Sequence, residues 1–211
     1  MTFEISDNSI YFCRAGETGR LSACGDNSIR FQASASVKLV EQNWTLMPRK
    51  AAARAWLEEN GNTKEAFIEV GNLRARLEEC GRVTYFRDGE EILREQPELT
   101  FNMGYRHYKS KESNLWSIRV TFEAREDEDF YGLGHERMNV FSKKGCTVDL
   151  RHLNTKASIP YVYSSLGYGF IWNMPSTGTV ELGRNRTRWN SDCAKGMDYV
   201  CLLYTSDAAD E

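Results

Sequence analysis

Leu73-Arg74-Ala75-Arg76-Leu77-Glu78, Val83-Thr84-Tyr85-Phe86 and Glu90-Glu91-Ile92-Leu93, the last two joined through Asp88-Gly89, form the stretch whose pattern decides the fold class. Leu73, Ala75 and Leu77 alternate with Arg74, Arg76 and Glu78, the two-residue period of a strand with one face in a core and the other in water. Gly81 permits a turn after the first run. Asp88-Gly89 supplies two residues that tolerate positive φ, as a two-residue hairpin loop requires. Three consecutive antiparallel strands follow, and Phe67-Ile68, leading to Gly71, begins the same period one run earlier.

Outward from this stretch the chain keeps the same character. Ser9-Ile10-Tyr11-Phe12 and Ser28-Ile29-Arg30-Phe31 are short β-rich runs separated by Gly16, Gly19 and Gly25-Asp26-Asn27. Leu115 to Phe122 alternates again, and the acidic run Glu123 to Asp129 reads as a solvated loop. One segment differs. Between Pro48 and Gly61, Ala51-Ala52-Ala53-Arg54-Ala55-Trp56-Leu57-Glu58-Glu59 collects good helix formers after a proline suited to a first helical turn, so a short helix is expected near residues 49–59. Many short strands with regular turns predict an all-β antiparallel sandwich.

Composition sets the limits. A chain of 211 residues with 41% hydrophobic content can bury one sizeable core, and its formal net charge of -3 gives no electrostatic reason to expect nucleic acid or an anionic membrane as partner. Met1 to Ile10 has no basic n-region and no apolar run reaches a membrane span, so a cytoplasmic location is expected. Cys13, Cys24, Cys80, Cys146, Cys193 and Cys201 are scattered, with no Cys-x-x-Cys pair. They read as reduced thiols acting as small hydrophobes, and neither metal nor cofactor is expected.

The candidate chemistry lies between Phe130 and Trp189. Phe130-Tyr131-Gly132-Leu133-Gly134-His135-Glu136 opens with half of a dinucleotide fingerprint, but Arg137 stands at the third glycine position and no helical period follows. The glycines fit a bulge where backbone passes close to another surface. His135 and Glu136 could move protons on a sugar's anomeric oxygen, yet a hydrogen-bonded pair at a domain edge accounts for them more simply. Arg184, Arg186 and Arg188 would share one strand face, either solvated or ion-paired to Asp192, Asp198 or another domain. Tyr163, Tyr168, Phe170, Trp172 and Trp189 could stack on sugars but read first as core and cross-strand pairs. Asp149-Leu150-Arg151-His152-Leu153-Asn154-Thr155 is polar and aperiodic, a loop whose Asn and Thr either cap their own turn or face a ligand.

The order of these motifs, continued through Lys144-Gly145, Ile159-Pro160-Tyr161, Ser164-Ser165-Leu166-Gly167-Tyr168-Gly169-Phe170 and Val180-Glu181-Leu182-Gly183, resembles the N-terminal mutarotase-like β-sandwich of glycoside hydrolase family 31, the α-glucosidases and α-xylosidases. The resemblance implies a domain over residues 1–200 that precedes a catalytic barrel, its intramolecular partner, and an α-linked oligosaccharide or glycoside as substrate of the whole enzyme. The family hydrolyses with retention, using an aspartate nucleophile and a second carboxylic acid as proton donor. Both lie on the barrel, so no carboxylate here takes either role. The loop before Ile159 is implied to reach the barrel mouth, which makes Asn154, Thr155 and His152 the candidate substrate-binding residues. Residues 201–211, Cys201 to Glu211, resemble residue for residue the translation of a transposon-end sequencing adapter, and on that reading they stand outside the domain and matter little to stability. Two alternatives stay open: a stand-alone carbohydrate-binding module, and a small mutarotase-like sugar epimerase.

Overall fold

The computed structural model describes residues 1–39, 43, 45–47, 49, 51–97, 104–136 and 138–204. These contain eighteen strands and no helix. A meander of β1 (Thr2–Ser6), β2 (Ser9–Arg14), β3 (Glu17–Ala23) and β4 (Ser28–Ser34) is followed by a second of β5 (Arg54–Asn60), β6 (Thr63–Val70), β7 (Leu73–Glu78), β8 (Val83–Arg87) and β9 (Glu90–Arg94). Then come β10 (Arg106–Ser110), β11 (Trp116–Glu123), β12 (Phe130–His135), β13 (Thr147–Leu150), β14 (Ala157–Ser164), β15 (Tyr168–Trp172), β16 (Gly178–Leu182), β17 (Arg186–Ala194) and β18 (Met197–Leu203).

They form an eight-stranded sheet in the order β1-β2-β3-β4-β18-β15-β14-β12 and two five-stranded sheets, β10-β11-β17-β16-β13 and β5-β6-β7-β8-β9. The two smaller sheets run into one another at Glu95, which donates to the Val83 carbonyl at 3.0 Å and bridges to Phe122, while Gln96 donates to the Thr121 carbonyl at 2.8 Å. The large sheet covers both. Phe170 of β15 sits 4.8 Å from Trp189, 5.0 Å from Tyr199 and 5.2 Å from Phe122, ring centre to ring centre, so these four rings form the middle of the core, while Tyr131, Tyr161 and Tyr163 are only partly buried. Such contacts add to the large apolar area each ring buries.

The alternating runs fold as their period dictates. Leu73, Ala75 and Leu77 are fully buried, and Asp88 and Gly89 both take positive φ, 51° and 90°, at the β8–β9 hairpin. The first meander has four strands rather than two, because Asp7-Asn8 and Ala15-Gly16 adopt the same positive-φ pairs and close two further hairpins. The glycines of the central stretch make a bulge in β12 against β14: a Cβ at Gly132 would stand 2.6 Å from the Tyr161 carbonyl oxygen, and one at Gly134 2.2 Å from that of Ala157.

The helix expected near residues 49–59 does not form. Pro48 and Lys50 lie outside the described residues, but Arg54 to Asn60 is strand β5, registered against β6 from Arg54↔Glu69 to Asn60↔Thr63. Gly61, read as a helix stop, is a hairpin-turn residue at φ 62°. Tertiary packing overrides helix propensity: Ala51, Ala53 and Ala55 meet the core at two-residue spacing, and Trp56 lies 5.3 Å from Phe67 between the guanidinium groups of Arg54 and Arg74. The acidic run is not wholly solvated either. Glu128 is buried and accepts hydrogen bonds from Ser164 Oγ at 2.5 Å and Tyr168 Oη at 2.7 Å.

The three sheets meet at one buried ionic cluster. Arg106 of β10 donates from Nε and Nη2 to the two oxygens of Glu17 at 2.8 and 2.9 Å, from Nη1 to Glu95 Oε2 at 2.5 Å, and from Nη2 to the Gly81 carbonyl at 2.9 Å. Tyr108 donates to Glu17 and Tyr199 to Glu95, at 2.8 and 3.3 Å. Burial raises the Glu95 carboxyl above its ordinary value despite Arg106. Burial also penalises the Glu17 charge, but there Arg106 and the Tyr108 hydroxyl prevail and the carboxyl falls below its ordinary value. Glu17 therefore adds stability above its unfolded-state pKa that is lost as pH falls through the depressed folded value. Glu95 adds stability below its unfolded-state pKa that is lost as pH rises through the raised folded value.

Residue 200 is not the edge of the structured part. Cys201 and Leu203 are buried in β18, and Cys201 pairs with Ile29 and Phe170. Whatever codons supplied them, these residues pack, whereas Thr205 to Glu211 lie outside the described residues.

Two outcomes follow, both read by chemical denaturation. Arg106→Met leaves two buried carboxylates without their counter-ion and should cost about 3–5 kcal/mol. Glu95→Gln should cost less and abolish the loss of stability on the alkaline side while keeping the acid-side loss due to Glu17; an unchanged pH profile would contradict this. Separately, truncation after Val200 should cost roughly 2–5 kcal/mol, the range for deleting large buried side chains, whereas truncation after Tyr204 removes none of the described packing.

Candidate functional site

The three candidate residues share one feature, the connection between β13 and β14. After Leu150, Arg151 and His152 lead into a tight turn in which Leu153 and Lys156 form a bridge, each amide donating to the other's carbonyl at 3.3 and 3.0 Å. Asn154 and Thr155 occupy the two tip positions and are exposed. Thr155 takes φ 64°, a conformation that a β-branched residue adopts only where its surroundings impose it.

Lys156 holds this tip. Its ammonium lies 2.9 Å from Glu136 Oε2 and donates to the Asp149 carbonyl at 2.7 Å, with the lysine and glutamate side chains only 10% and 5% exposed. A nearly buried pair with an added carbonyl acceptor fixes geometry more than it adds net stability. The Glu136 carboxylate is thereby committed to a cation, and neighbouring His135 is exposed at the end of β12.

His152 sits at the base of the turn. Its Nδ1 accepts the Ser158 amide N–H at 3.3 Å, so in the neutral ring the proton is carried on Nε2. His152, Arg151, Ser158, Trp172 and Thr177 line a cavity of about 330 Å³ beside the hairpin. Trp172 and Met174 are shared with a second, mostly apolar cavity of about 320 Å³ on the outer side of β14 and β15. The structure thus brings His152 to a cavity of mixed polar and apolar lining and Asn154 with Thr155 to the exposed tip of the turn. Among the described residues, no three His, Cys, Asp or Glu side chains are grouped to hold a metal ion.

The remaining candidates are structural. Trp172 and Trp189 pack 6.1 Å apart in the core. Arg184 falls before β17; Arg186 and Arg188 do share a face of that strand, and they pair with Glu181 of the neighbouring β16, at 3.7 and 2.9 Å, rather than with Asp192 or Asp198. Sequence reasoning left out Lys156, the residue that braces the hairpin; its side chain reaches Glu136 twenty positions earlier, a pairing that no local period signals.

A two-layer antiparallel sandwich of this topology, with a braced hairpin between β13 and β14, is a sandwich of the mutarotase-like class. Residues 18–181 match the family described as the glycosyl hydrolase 31 N-terminal galactose mutarotase-like domain, and the chain belongs to that family. It is 28% identical over 199 residues to an uncharacterized family 31 glucosidase from Pseudescherichia vulneris, covering 85% of this chain and 37% of the relative. Over 127 residues it is 33% identical to alpha-xylosidase A of Aspergillus niger, covering 57% of this chain and 17% of that protein. Among solved structures, a GH31 alpha-xylosidase from a soil metagenome, complexed with xylose, superposes with a TM-score of 0.86 at 27% identity, over 97% of this chain and 32% of that one. The chain thus spans between 17% and 37% of the length of these relatives.

The brace generates a local prediction. Lys156→Met should speed amide hydrogen exchange at positions 153 and 156 and increase trypsin cleavage after Arg151, with little change in the global unfolding midpoint. A global loss as large as that of Arg106→Met would place the hairpin within the cooperative core instead.

Proposed function

We propose that the chain is the N-terminal module of a retaining α-glycosidase acting on α-xylosides or α-glucosides. In this reading it supports the catalytic barrel and lends the β13–β14 hairpin to the substrate entrance. The observation that carries the reading is the braced hairpin itself. Asn154 and Thr155 are held at an exposed tip by Lys156, Glu136 and the Leu153–Lys156 bridge, an expenditure of buried charge that a mere connection does not need. The likeness to xylosidases and a glucosidase along the module supports the substrate class.

Chemically, the module's role is recognition. An amide and a hydroxyl on a rigid tip suit hydrogen bonding to an uncharged sugar, and His152 at the base of the same hairpin lines a cavity of mixed polar and apolar character. The nucleophilic aspartate and the proton-donating carboxylic acid belong to the barrel, placed on either side of the anomeric carbon. The 211-residue chain alone should therefore leave hydrolysis of aryl α-xylosides and α-glucosides at the background rate.

The deciding test uses the full-length enzyme. Asn154→Ala should lower kcat/KM by roughly five- to a hundred-fold, the span of about 1–3 kcal/mol for a lost sugar hydrogen bond, with the unfolding midpoint unchanged. A turn-capping role predicts the reverse, a lower midpoint with kcat/KM preserved. Sequencing the gene past the codon for Val200 separates the alternatives, since a barrel reading frame supports this function and a stop codon supports a stand-alone carbohydrate-binding module.

A further inference from the structure

The cavity of about 330 Å³ at the hairpin base holds hydrogen-bonding capacity that the fold does not use. Trp172 is 1% exposed, and its indole Nε1 is buried without a hydrogen-bond partner in the protein. Ser158, 8% exposed, has its Oγ in the same condition. Both residues line the cavity. A buried N–H or hydroxyl left unpaired is costly enough that native folds keep few of them, and two around one cavity point to a ligand that enters it.

The remaining groups fix the sign of that ligand. His152 uses Nδ1 to accept the Ser158 amide N–H at 3.3 Å, which leaves the Nε2 proton of its neutral ring as a donor. Arg151 is exposed and is engaged by none of the described residues. The hydroxyls of Ser176 and Thr177 already donate, to the Thr177 carbonyl at 2.9 Å and to Asp192 Oδ2 at 2.7 Å. Among the described residues, no Asp, Glu, Asn or Gln side chain lines this cavity. The free capacity is therefore an indole N–H, an imidazole N–H and a guanidinium, which only donate, and one hydroxyl that can do either. A sugar hydroxyl needs an acceptor for its own proton, and among these groups only Ser158 Oγ offers one. An oxyanion needs donors alone, and hydrogen bonds to a charged acceptor are roughly twice as strong as those between neutral groups.

The neighbouring cavity sets the body of the ligand. Pro160, Trp172, Met174 and Pro175 line the first cavity and also the apolar one of about 320 Å³, which Leu46 and Ile171 line as well. There Thr45 donates to Asn173 Oδ1 at 2.5 Å and Asn173 Nδ2 to Asp198 Oδ2 at 2.9 Å, so apart from the shared indole and the Tyr161 hydroxyl its side chains offer hydrocarbon. We propose that the two cavities together bind a small amphipathic carboxylate, its charged end held by Trp172 Nε1, Ser158 Oγ, His152 Nε2 and Arg151 and its short alkyl or aryl body lying against Met174, Pro175 and Ile171. The inference does not depend on the glycosidase reading, because every group that carries it belongs to this chain. Since His152 stands at the base of the turn that ends in Asn154 and Thr155, the bound acid also fixes the foot of that hairpin.

The test is an NMR titration of the isotope-labelled 211-residue chain with benzoate as probe, at constant ionic strength. The chain has five tryptophans, and Trp172→Phe identifies the indole cross-peak of Trp172. Benzoate should move that peak downfield in a saturable way. Benzyl alcohol, with the ring but no charge, and acetate, with the charge but no ring, should each bind about ten-fold more weakly or less. Arg151→Gln should weaken benzoate about ten-fold and Ser158→Ala several-fold, with the amide spectrum otherwise that of the unmodified fold. Arg151 is exposed and Ser158→Ala removes only a hydroxyl, so both variants keep the fold even if Trp172→Phe does not, and binding is then read from the amide at position 158. An unmoved Trp172 indole and position-158 amide would overturn the proposal and assign the unpaired groups to ordered water. Equal binding of benzyl alcohol, or saturable binding of xylose in place of benzoate, overturns the anion. Tighter binding of inorganic phosphate than of benzoate overturns the amphipathic carboxylate, and undiminished affinity in both Arg151→Gln and Ser158→Ala places the acid elsewhere and overturns the site.

Discussion

Arg106 is the group on which the assembly of the three sheets depends. A guanidinium held at 3% side-chain exposure would be prohibitive without partners, and its donors are distributed to Glu17 on the large sheet, Glu95 at the seam of the two smaller sheets and the Gly81 carbonyl between β7 and β8. The rings of Phe12 and Phe31 lie 5.7 and 4.9 Å away and close the site to water. No two of the sheets can reach their final positions while the third is displaced, because a displaced sheet leaves part of this cluster charged, buried and unpaired. The ionic cluster thus turns three separately registered sheets into one cooperative unit, a service that apolar packing, being non-directional, does not supply by itself.

What could be read from the residues was whatever depends on near neighbours in the chain. Leu73, Ala75 and Leu77 announce a half-buried strand because burial alternates with every residue, and Asp88-Gly89 announces its hairpin because few residue pairs tolerate positive φ twice. Gly132 and Gly134 were legible for the same reason: only a residue without a Cβ survives at 2.6 and 2.2 Å from a carbonyl oxygen. The strand at Arg54 to Asn60 was not, since alanines, leucine and glutamates favour a helix locally and the deciding partners, Phe67 and Arg74, lie in the following strands. Glu95, Arg106 and Glu128 were equally silent. A charged residue looks alike in sequence whether it meets water or a partner many residues away, and only the closed sheets bring such partners together.

The candidate site was half legible on the same terms. The aperiodic polar run singled out His152, Asn154 and Thr155, and the fold does place them in one hairpin connection. Its rigidity was hidden, because Lys156 is fixed by Glu136 from across the β12–β14 pair.

Strand β14 ties these features into one device. Its first residues follow the braced hairpin, its outward residues Ile159, Tyr161 and Tyr163 make the apolar ladder, and its inward Val162 and Ser164 are buried, Ser164 bonding the carboxylate of Glu128. The bulge at Gly132 and Gly134 lets β12 press close against it, so the strand has little freedom to shift its register. Eight residues of extended chain at about 3.3 Å each carry that fixed position from one end of the sheet to the other. A tip carried on so fixed a strand keeps its distance and angle to the sheet, whereas a tip free to drift by an ångström would forfeit most of any selectivity that depends on its position.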